Sequence, residues 1–278
     1  MGALPFLIRF AQNIFAMSLN NPSRVIEIAE SAADNKLGMP PGKLVVAGIL
    51  AGIYIAMGGT LSLIIGYGFP EITSANPAMQ RLLSGMMFPL GLILVVFAGA
   101  ELFTGNNAVL IPGLMNRRYG IGAVLRNWTV VYLCNFVGAL FFAYVMVYQA
   151  GLLSEIWRGA IVSMTEFKVS MPWINVFLKG VGANWFVCLA VWLGFASQSA
   201  AGKIIGLWFP VMCFVALGYE HSIANMFFIP LGMMCGAEVS IADFVIDNLI
   251  PATLGNIVGG ALFVGCAYWY LSTNSRKQ

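Results

Sequence analysis

Gly99-Ala-Glu101-Leu-Phe-Thr-Gly-Asn106 and Gly218-Tyr-Glu220-His-Ser-Ile-Ala-Asn225 set glycine, glutamate and asparagine at the same spacing, each time inside an apolar stretch of membrane-spanning length. A carboxylate at bilayer depth costs roughly 2.5–3.5 kcal/mol on insertion scales. The same cost at equivalent places in two halves of one chain indicates a built site and a repeat.

The surrounding composition agrees. Hydrophobic residues make up 60% of the 278 residues and charged residues 9%, with a mean hydropathy of +0.86; a soluble domain carries about a quarter charged residues. The chain therefore reads as an all-α integral membrane protein. Stretches able to cross, at about 20 residues each, fall near residues 43–67, 80–113, 122–149, 172–197, 202–235 and 245–271, which gives six predicted crossings. Asn135-Phe-Val-Gly138 in the third matches Asn256-Ile-Val-Gly259 in the sixth, and Gly48-Ile-Leu-Ala51 in the first matches Gly180-Val-Gly-Ala183 in the fourth more weakly. Three crossings per half is an odd number, so the second half enters from the opposite face: an inverted repeat, whose substrate site is expected near the midplane between the halves.

The second and fifth stretches are too long for one straight crossing and carry glycine and small polar residues at their middles. Two broken helices are expected. Backbone freed at depth must face protein or a wet cavity, and each new helix N-terminus favours an anion. Gly48-x-x-x-Gly52 and the glycines from Gly255 to Gly260 read as close-packing seams, within or between protomers.

Arg9, Arg24, Lys36, Lys43, Arg117, Arg118, Arg126, Lys203, Arg276 and Lys277 fall on one predicted face, and only Arg81, Arg158, Lys168 and Lys179 on the other. The positive-inside rule then places both termini in the cytoplasm of a cell-membrane protein. Residues 1–42 read as a cytoplasmic amphipathic segment without the marks of a signal peptide, residues 43–271 as the channel domain (repeats about 43–150 and 172–271), and residues 272–278 as a tail. The net charge of +3 follows from this loop bias and gives no reason to invoke nucleic acid. Five cysteines, Cys134, Cys188, Cys213, Cys235 and Cys266, are scattered through the spans without metal-ligand spacing.

His221 is the single histidine and stands at the break of the fifth stretch. An imidazole titrates near neutral pH, so it suits proton exchange with a weak acid or a proton-sensitive gate; it would equally serve as a neutral prop for the break. Thr104 occupies the equivalent break, as an anion donor or as a helix N-cap. Glu101 and Glu220 repel an anion and are expected to bond the loose N–H groups of the breaks, supported by Asn106 and Asn225. Asn184 and Asn256 either line the path or bond across helices. Lys168 and Lys179 either draw anions to a vestibule or are ordinary loop lysines. A P-loop, a dinucleotide fingerprint and a zinc-spaced His/Cys set are all missing from the sequence, and a Ser triad could use only His221. No enzyme activity, cofactor or metal is expected.

Four stretches together, Phe97-Ala-Gly-Ala-Glu-Leu-Phe-Thr104-Gly, Gly182-Ala-Asn184-Trp-Phe-Val-Cys-Leu-Ala-Val-Trp192, Gly218-Tyr-Glu-His221-Ser-Ile-Ala-Asn225-Met-Phe and Asp247-Asn-Leu-Ile-Pro-Ala-Thr-Leu-Gly-Asn256, resemble the formate/nitrite transporter family from about residue 20 to 271. The resemblance implies an aquaporin-like protomer in a homopentamer, with one pore per protomer and two apolar constrictions around a chamber that holds the histidine. It implies that Thr104 faces His221, that Asn184 and Asn256 are polar pore residues, that Lys168 is a vestibule lysine, and that Phe88, Leu92, Leu102, Phe103, Val187 and Phe214 form the constrictions. Formate, moved with a proton as formic acid, is the first expected substrate. Nitrite is the nearest rival, hydrosulfide and short monocarboxylates such as acetate or lactate follow, and an aquaporin-like pore for neutral solutes is the alternative of another class.

Overall fold

A computed structural model describes residues 19–273, and among them every regular element is helical. The first 18 residues of the predicted amphipathic segment and residues 274–278 of the tail lie outside the described residues. Helix α1, Pro22–Leu37, starts with Asn21 capping the Arg24 N–H at 2.8 Å and with proline at its first turn, and it ends at Gly38. It buries Val25, Ile26, Ala29 and Ala33 along one face, the stripe a surface helix presents to a core.

Helix α2 is Pro41–Tyr67, a short α3 is Pro70–Ala75, and α4 (Pro77–Met87) with α5 (Leu90–Ala98) makes the second long apolar segment. Two short helices follow, α6 Phe103–Val109 and α7 Ile111–Met115. Helix α8, Ile121–Phe141, runs on through π-helical turns to Gln149; α9 is Glu155–Ser170 and α10 is Trp173–Ala196. Helices α11, Ala200–Ala216, and α12, Ser222–Met234, precede a last long helix in which α13 (Ile250–Ile257) lies between π-helical turns at Asp243–Leu249 and Val258–Cys266 and leads into α14, Ala267–Thr273. Five of these segments are long and apolar enough to cross a membrane: Pro41–Tyr67, Pro77–Ala98, Ile121–Gln149, Trp173–Ala196 and Asp243–Ser272. The stretch 202–235, expected as one crossing with a break at its middle, is two shorter apolar helices, α11 and α12. The glycine-centred turn at residues 217–221 divides it.

The glycine seams lie inside the chain. A Cβ on Gly52 would strike the Asn135 carbonyl and one on Gly138 the Ile49 carbonyl, so α2 and α8 touch backbone to backbone. Gly255 and Gly259 do the same against the Phe177 and Val181 carbonyls of α10. We expect Gly138→Ala to destabilise the detergent-solubilised protein by about 1–3 kcal/mol, read as a lower melting temperature, because the obstructing atom is backbone and cannot swing aside. Gly122→Ala, where a Cβ meets nothing within 4 Å, is the neutral control.

Helix α1 is clamped against the rest of the helices. Arg118 pairs with Glu30 at 3.2 Å and with Asp34, Asn116 donates to Glu30, and the Trp269 indole donates to Asn116 at 2.7 Å. Ahead of α1, the Asn20 N–H and side-chain amide donate to the carbonyls of Ala196 and Phe195 at 2.7 and 2.8 Å. Burial, reinforced by the Asp34 carboxylate, pushes the Tyr119 phenol well above its ordinary range, so it remains a donor to the Leu110 carbonyl at 2.8 Å.

Candidate functional site

Both repeated motifs fall where a helix stops and another begins. Helix α5 ends at Ala98, Gly99 turns into the left-handed region (φ 74°), and α6 starts at Phe103; α11 ends at Ala216, Gly218 repeats the turn (φ 70°), and α12 starts at Ser222. Glycine takes that conformation without the penalty a Cβ brings, which explains why both motifs begin with it.

Each interruption leaves backbone groups without helical partners, and one asparagine bridges each gap. The Asn135 Oδ1 accepts from the Phe103 N–H at 3.0 Å while its Nδ2 donates to the Gly48 and Glu101 carbonyls at 2.7 and 2.9 Å. The Asn256 Oδ1 accepts from the Ser222 N–H at 2.8 Å and its Nδ2 donates to the Gly180 and Glu220 carbonyls at 2.8 and 2.9 Å. A primary amide suits this place because it both donates and accepts. The pairing of Gly48 with Asn135 and of Gly180 with Asn256 gives the weaker sequence match between those glycines a physical meaning. Asn135→Leu or Asn256→Leu would leave two backbone groups of the interruption unpaired at once, an N–H and a carbonyl; an expected loss of about 1–3 kcal/mol for each group left unpaired would show in the melting temperature.

The glutamates were expected to bond the loose N–H groups; the asparagines do that instead. Glu101 accepts from Lys36 at 2.8 Å and from Asn106 at 2.9 Å, and Glu220 accepts from Lys168 at 2.9 Å and from Asn225 at 2.7 Å. A carboxylate at this depth needs a cation more than it needs an amide. Asn106 also donates to Asn127 at 2.9 Å, as Asn225 does to Asn248 at 2.7 Å. The two clusters differ in one detail: the Asn248 amide goes on to Glu220 and the Lys168 carbonyl at 3.1 Å, whereas the Asn127 Nδ2 finds no partner among the described residues. Lys36, Asn127 and Asn248 were missed as site residues, although all three are polar groups bordering or interrupting apolar stretches.

Where the halves meet, the His221 Nε2 lies 3.0 Å from the Thr104 Oγ1. His221 is the N-cap of α12, its Nδ1 accepting the Ala224 N–H at 3.1 Å. That bond fixes the neutral tautomer: Nδ1 is bare, Nε2 carries the hydrogen, and Nε2–H donates to Thr104. Thr104 is not an N-cap; Leu102 holds that position, and the threonine hydroxyl is directed to the ring. His221 and Thr104 are 2% and 0% exposed. Asn184 sits behind this contact, its Nδ2 donating to the Thr104 carbonyl, Asn107 and the Asn256 carbonyl at 3.1, 3.1 and 2.6 Å.

Two cavities approach the centre. One, of about 220 Å³, is lined by Lys168, Glu220 and His221 with Phe88, Phe214 and Phe228. Phe88 meets Phe214 edge-on at 5.8 Å, and Phe214 stacks on the His221 ring at 5.7 Å. The other, of about 190 Å³, is lined by Lys36 and Glu101 with Leu92, Leu102, Val191 and Phe195. Phe88 and Phe214 thus stand on one side of the His221–Thr104 contact, Leu92 and Leu102 on the other. Phe103 packs edge-on against Trp128 and Tyr132 at 6.2 and 4.8 Å and lines neither cavity; nor do Val187, Asn184 and Asn256. The two asparagines bond across helices, the second of the readings left open for them. Phe228, Val191 and Phe195 line the cavities unforeseen, since nothing in sequence separates a cavity-facing apolar residue from a packed one. Among the described residues no group of His, Cys, Asp and Glu could hold a metal ion.

Residues 23–270 match the family model described as formate/nitrite transporter. The chain belongs to the formate/nitrite transporter family. A probable formate transporter of Methanothermobacter thermautotrophicus is 42% identical, with 91% of this chain and 97% of that protein covered. The formate channel FocA of Escherichia coli is 34% identical over 95% and 98%. Among solved structures, one titled "FNT family ion channel" superimposes with a TM-score of 0.81 at 29% identity, covering 89% of this chain and 98% of its own. One titled "Pentameric formate channel with formate bound" gives 0.72 at 32% identity, covering 84% and 98%. This member of the formate/nitrite transporter family is accordingly a multi-pass membrane protein of a family of transporters and channels.

Proposed function

We propose that this chain is a pore for small monovalent anions, formate first, which it moves with a proton as neutral formic acid past His221. The observation that carries the reading is the buried His221–Thr104 contact, with His221 on the wall of one cavity beside Phe88, Phe214 and Phe228 and with Leu102 and Gly105, close to Thr104 in the chain, on the wall of the other; Thr104 itself lines neither. A bare anion crosses such walls only at high cost, and desolvation favours the protonated acid. On entering, a formate oxygen takes the Nε2–H hydrogen bond from Thr104. The proton then comes from hydronium at the mouth, or from Nε2 while Nδ1 releases the Ala224 N–H and takes a proton relayed by water from that mouth, which leaves the imidazole neutral as the other tautomer. Formic acid leaves through the second apolar wall and ionises in the far cavity.

The proposed protomer has six crossings in two inverted halves, with the interruptions at residues 99–102 and 217–221 as broken second and fifth crossings. Its support is the correspondence of the Glu101 and Glu220 clusters, each with a lysine, two asparagines and a bridging asparagine amide. Five such protomers with both termini in the cytoplasm complete the reading, with Asn184 and Asn256 holding the two breaks together. Nitrite, of similar size and charge, is the rival within the same pore. Uptake into proteoliposomes under equal gradients of formate, nitrite and glycerol separates the cases. Formate entry with lumenal acidification above protein-free vesicles is expected; faster nitrite than formate entry would exchange the substrate, and glycerol entry without acidification would overturn the reading.

A further inference from the structure

The structure assigns the capture of the anion at one mouth to Arg81 rather than to Lys168. The inference rests on the anion-pore reading and adds to it a residue and a direction. Of the charged side chains in the 220 Å³ cavity, Arg81 and Lys168 are positive and Glu220 is negative. Lys168 and Glu220 lie 2.9 Å apart, 13% and 3% exposed, and together present a dipole with no net charge. Arg81 is exposed and makes no ion pair or side-chain hydrogen bond among the described residues. Among the described residues that line the cavity, the unpaired positive charge is therefore the guanidinium, and Glu220 is the one acid; Lys179, over the Phe167 ring at 5.6 Å, adds a second positive charge nearby without lining the cavity.

Its place in the fold suits the task. Arg81, Ser84 and Phe88 follow one another along one face of α4 and all line the cavity. At 1.5 Å per residue Arg81 stands about 10 Å outward of Phe88, close enough to bias where an anion dwells before the apolar wall. A guanidinium presents paired N–H groups that match a carboxylate. Ser62 and Ser84 bond each other's carbonyls at 2.9 and 3.1 Å, which fixes that face of α4 against α2. The opposite cavity has no such surplus, because its charged residues are Lys36 and Glu101, paired at 2.8 Å. Between the two cavity linings the surplus of positive charge is thus on the Arg81 side.

The test is initial formate uptake by proteoliposomes holding wild type, Arg81→Gln or Arg81→Lys, across concentration and at low and high salt. Arg81→Gln is expected to raise KM about fivefold with little change in maximal rate, and to remove most of the rise in KM that salt causes in wild type. Arg81→Lys is expected to keep at least half of that salt dependence, and all three proteins should melt alike. If wild type carries formate but Arg81→Gln keeps its KM and salt dependence, Arg81 is not the capture residue. If wild type carries neither formate nor nitrite, the anion-pore reading itself fails and takes this inference with it.

Discussion

His221→Phe is expected to lower formate flux at least about tenfold and to flatten its dependence on external pH, measured as initial uptake in proteoliposomes between mildly acidic and neutral pH. General acid–base groups contribute roughly 10²–10⁴-fold where they act, so the lower bound is conservative. Phenylalanine keeps the flat ring that stacks on Phe214, so the shape of the wall survives. Two things are lost: the Nε2–H donor shared with Thr104 and the Nδ1 cap on the Ala224 N–H. Loss of an N-cap costs about 1 kcal/mol, too little to unfold a helix buried as completely as α12. Reduced flux with nearly unchanged melting would therefore report on passage and not on folding. Thr104→Val, which leaves the histidine donor in place, should cost only a few-fold.

The second large effect is on stability. Glu220→Ala should destabilise the protein by about 3–5 kcal/mol, because it strands the Lys168 ammonium and removes the acceptor for Asn225 and Asn248. The loss should appear as a large drop in melting temperature in detergent. The double change Lys168→Met with Glu220→Gln should regain part of it, since no buried charge is then left alone and the glutamine oxygen still accepts from the asparagines. By contrast, Arg24→Ala, which breaks the exposed pair with Glu27, should stay within about 1 kcal/mol of wild type. The ranking follows from burial, not from distance, for the two pairs measure 2.9 and 2.8 Å.

Much of the scaffold was legible because a lipid solvent leaves few reasons for a polar residue or a glycine at depth. Glu101, Glu220, Asn106, Asn225, Asn135 and Asn256 stood out against apolar surroundings, and the structure gathers all six at the two interruptions. Gly52, Gly255 and Gly259 announced close packing, and the contacts they permit are within the chain. Partner choice was not legible. That Lys36, on a helix outside the apolar stretches, reaches Glu101 depends on α1 folding back across the mouth, and no local pattern encodes a contact 65 residues apart. The division of work between glutamate and asparagine was misjudged for a related reason: sequence shows which polar groups are present but not that Asn135 stands between the orphaned Phe103 N–H and the orphaned Glu101 carbonyl. Phe103 and Val187 show the same limit for apolar residues, which look alike whether they face a cavity or a neighbouring helix. The π-helical turns at Phe142–Gln149, Asp243–Leu249 and Val258–Cys266 carry no propensity signal at all.

The central claim is that formate crosses with a proton and without net charge. Its most direct measurement is formate-driven lumenal acidification in proteoliposomes, recorded with the membrane potential either free or clamped at zero. Acidification well above that of protein-free vesicles, growing as external pH falls and unchanged by the clamp, is the predicted result. Formate entry that follows the imposed potential and leaves lumenal pH unaltered would contradict it.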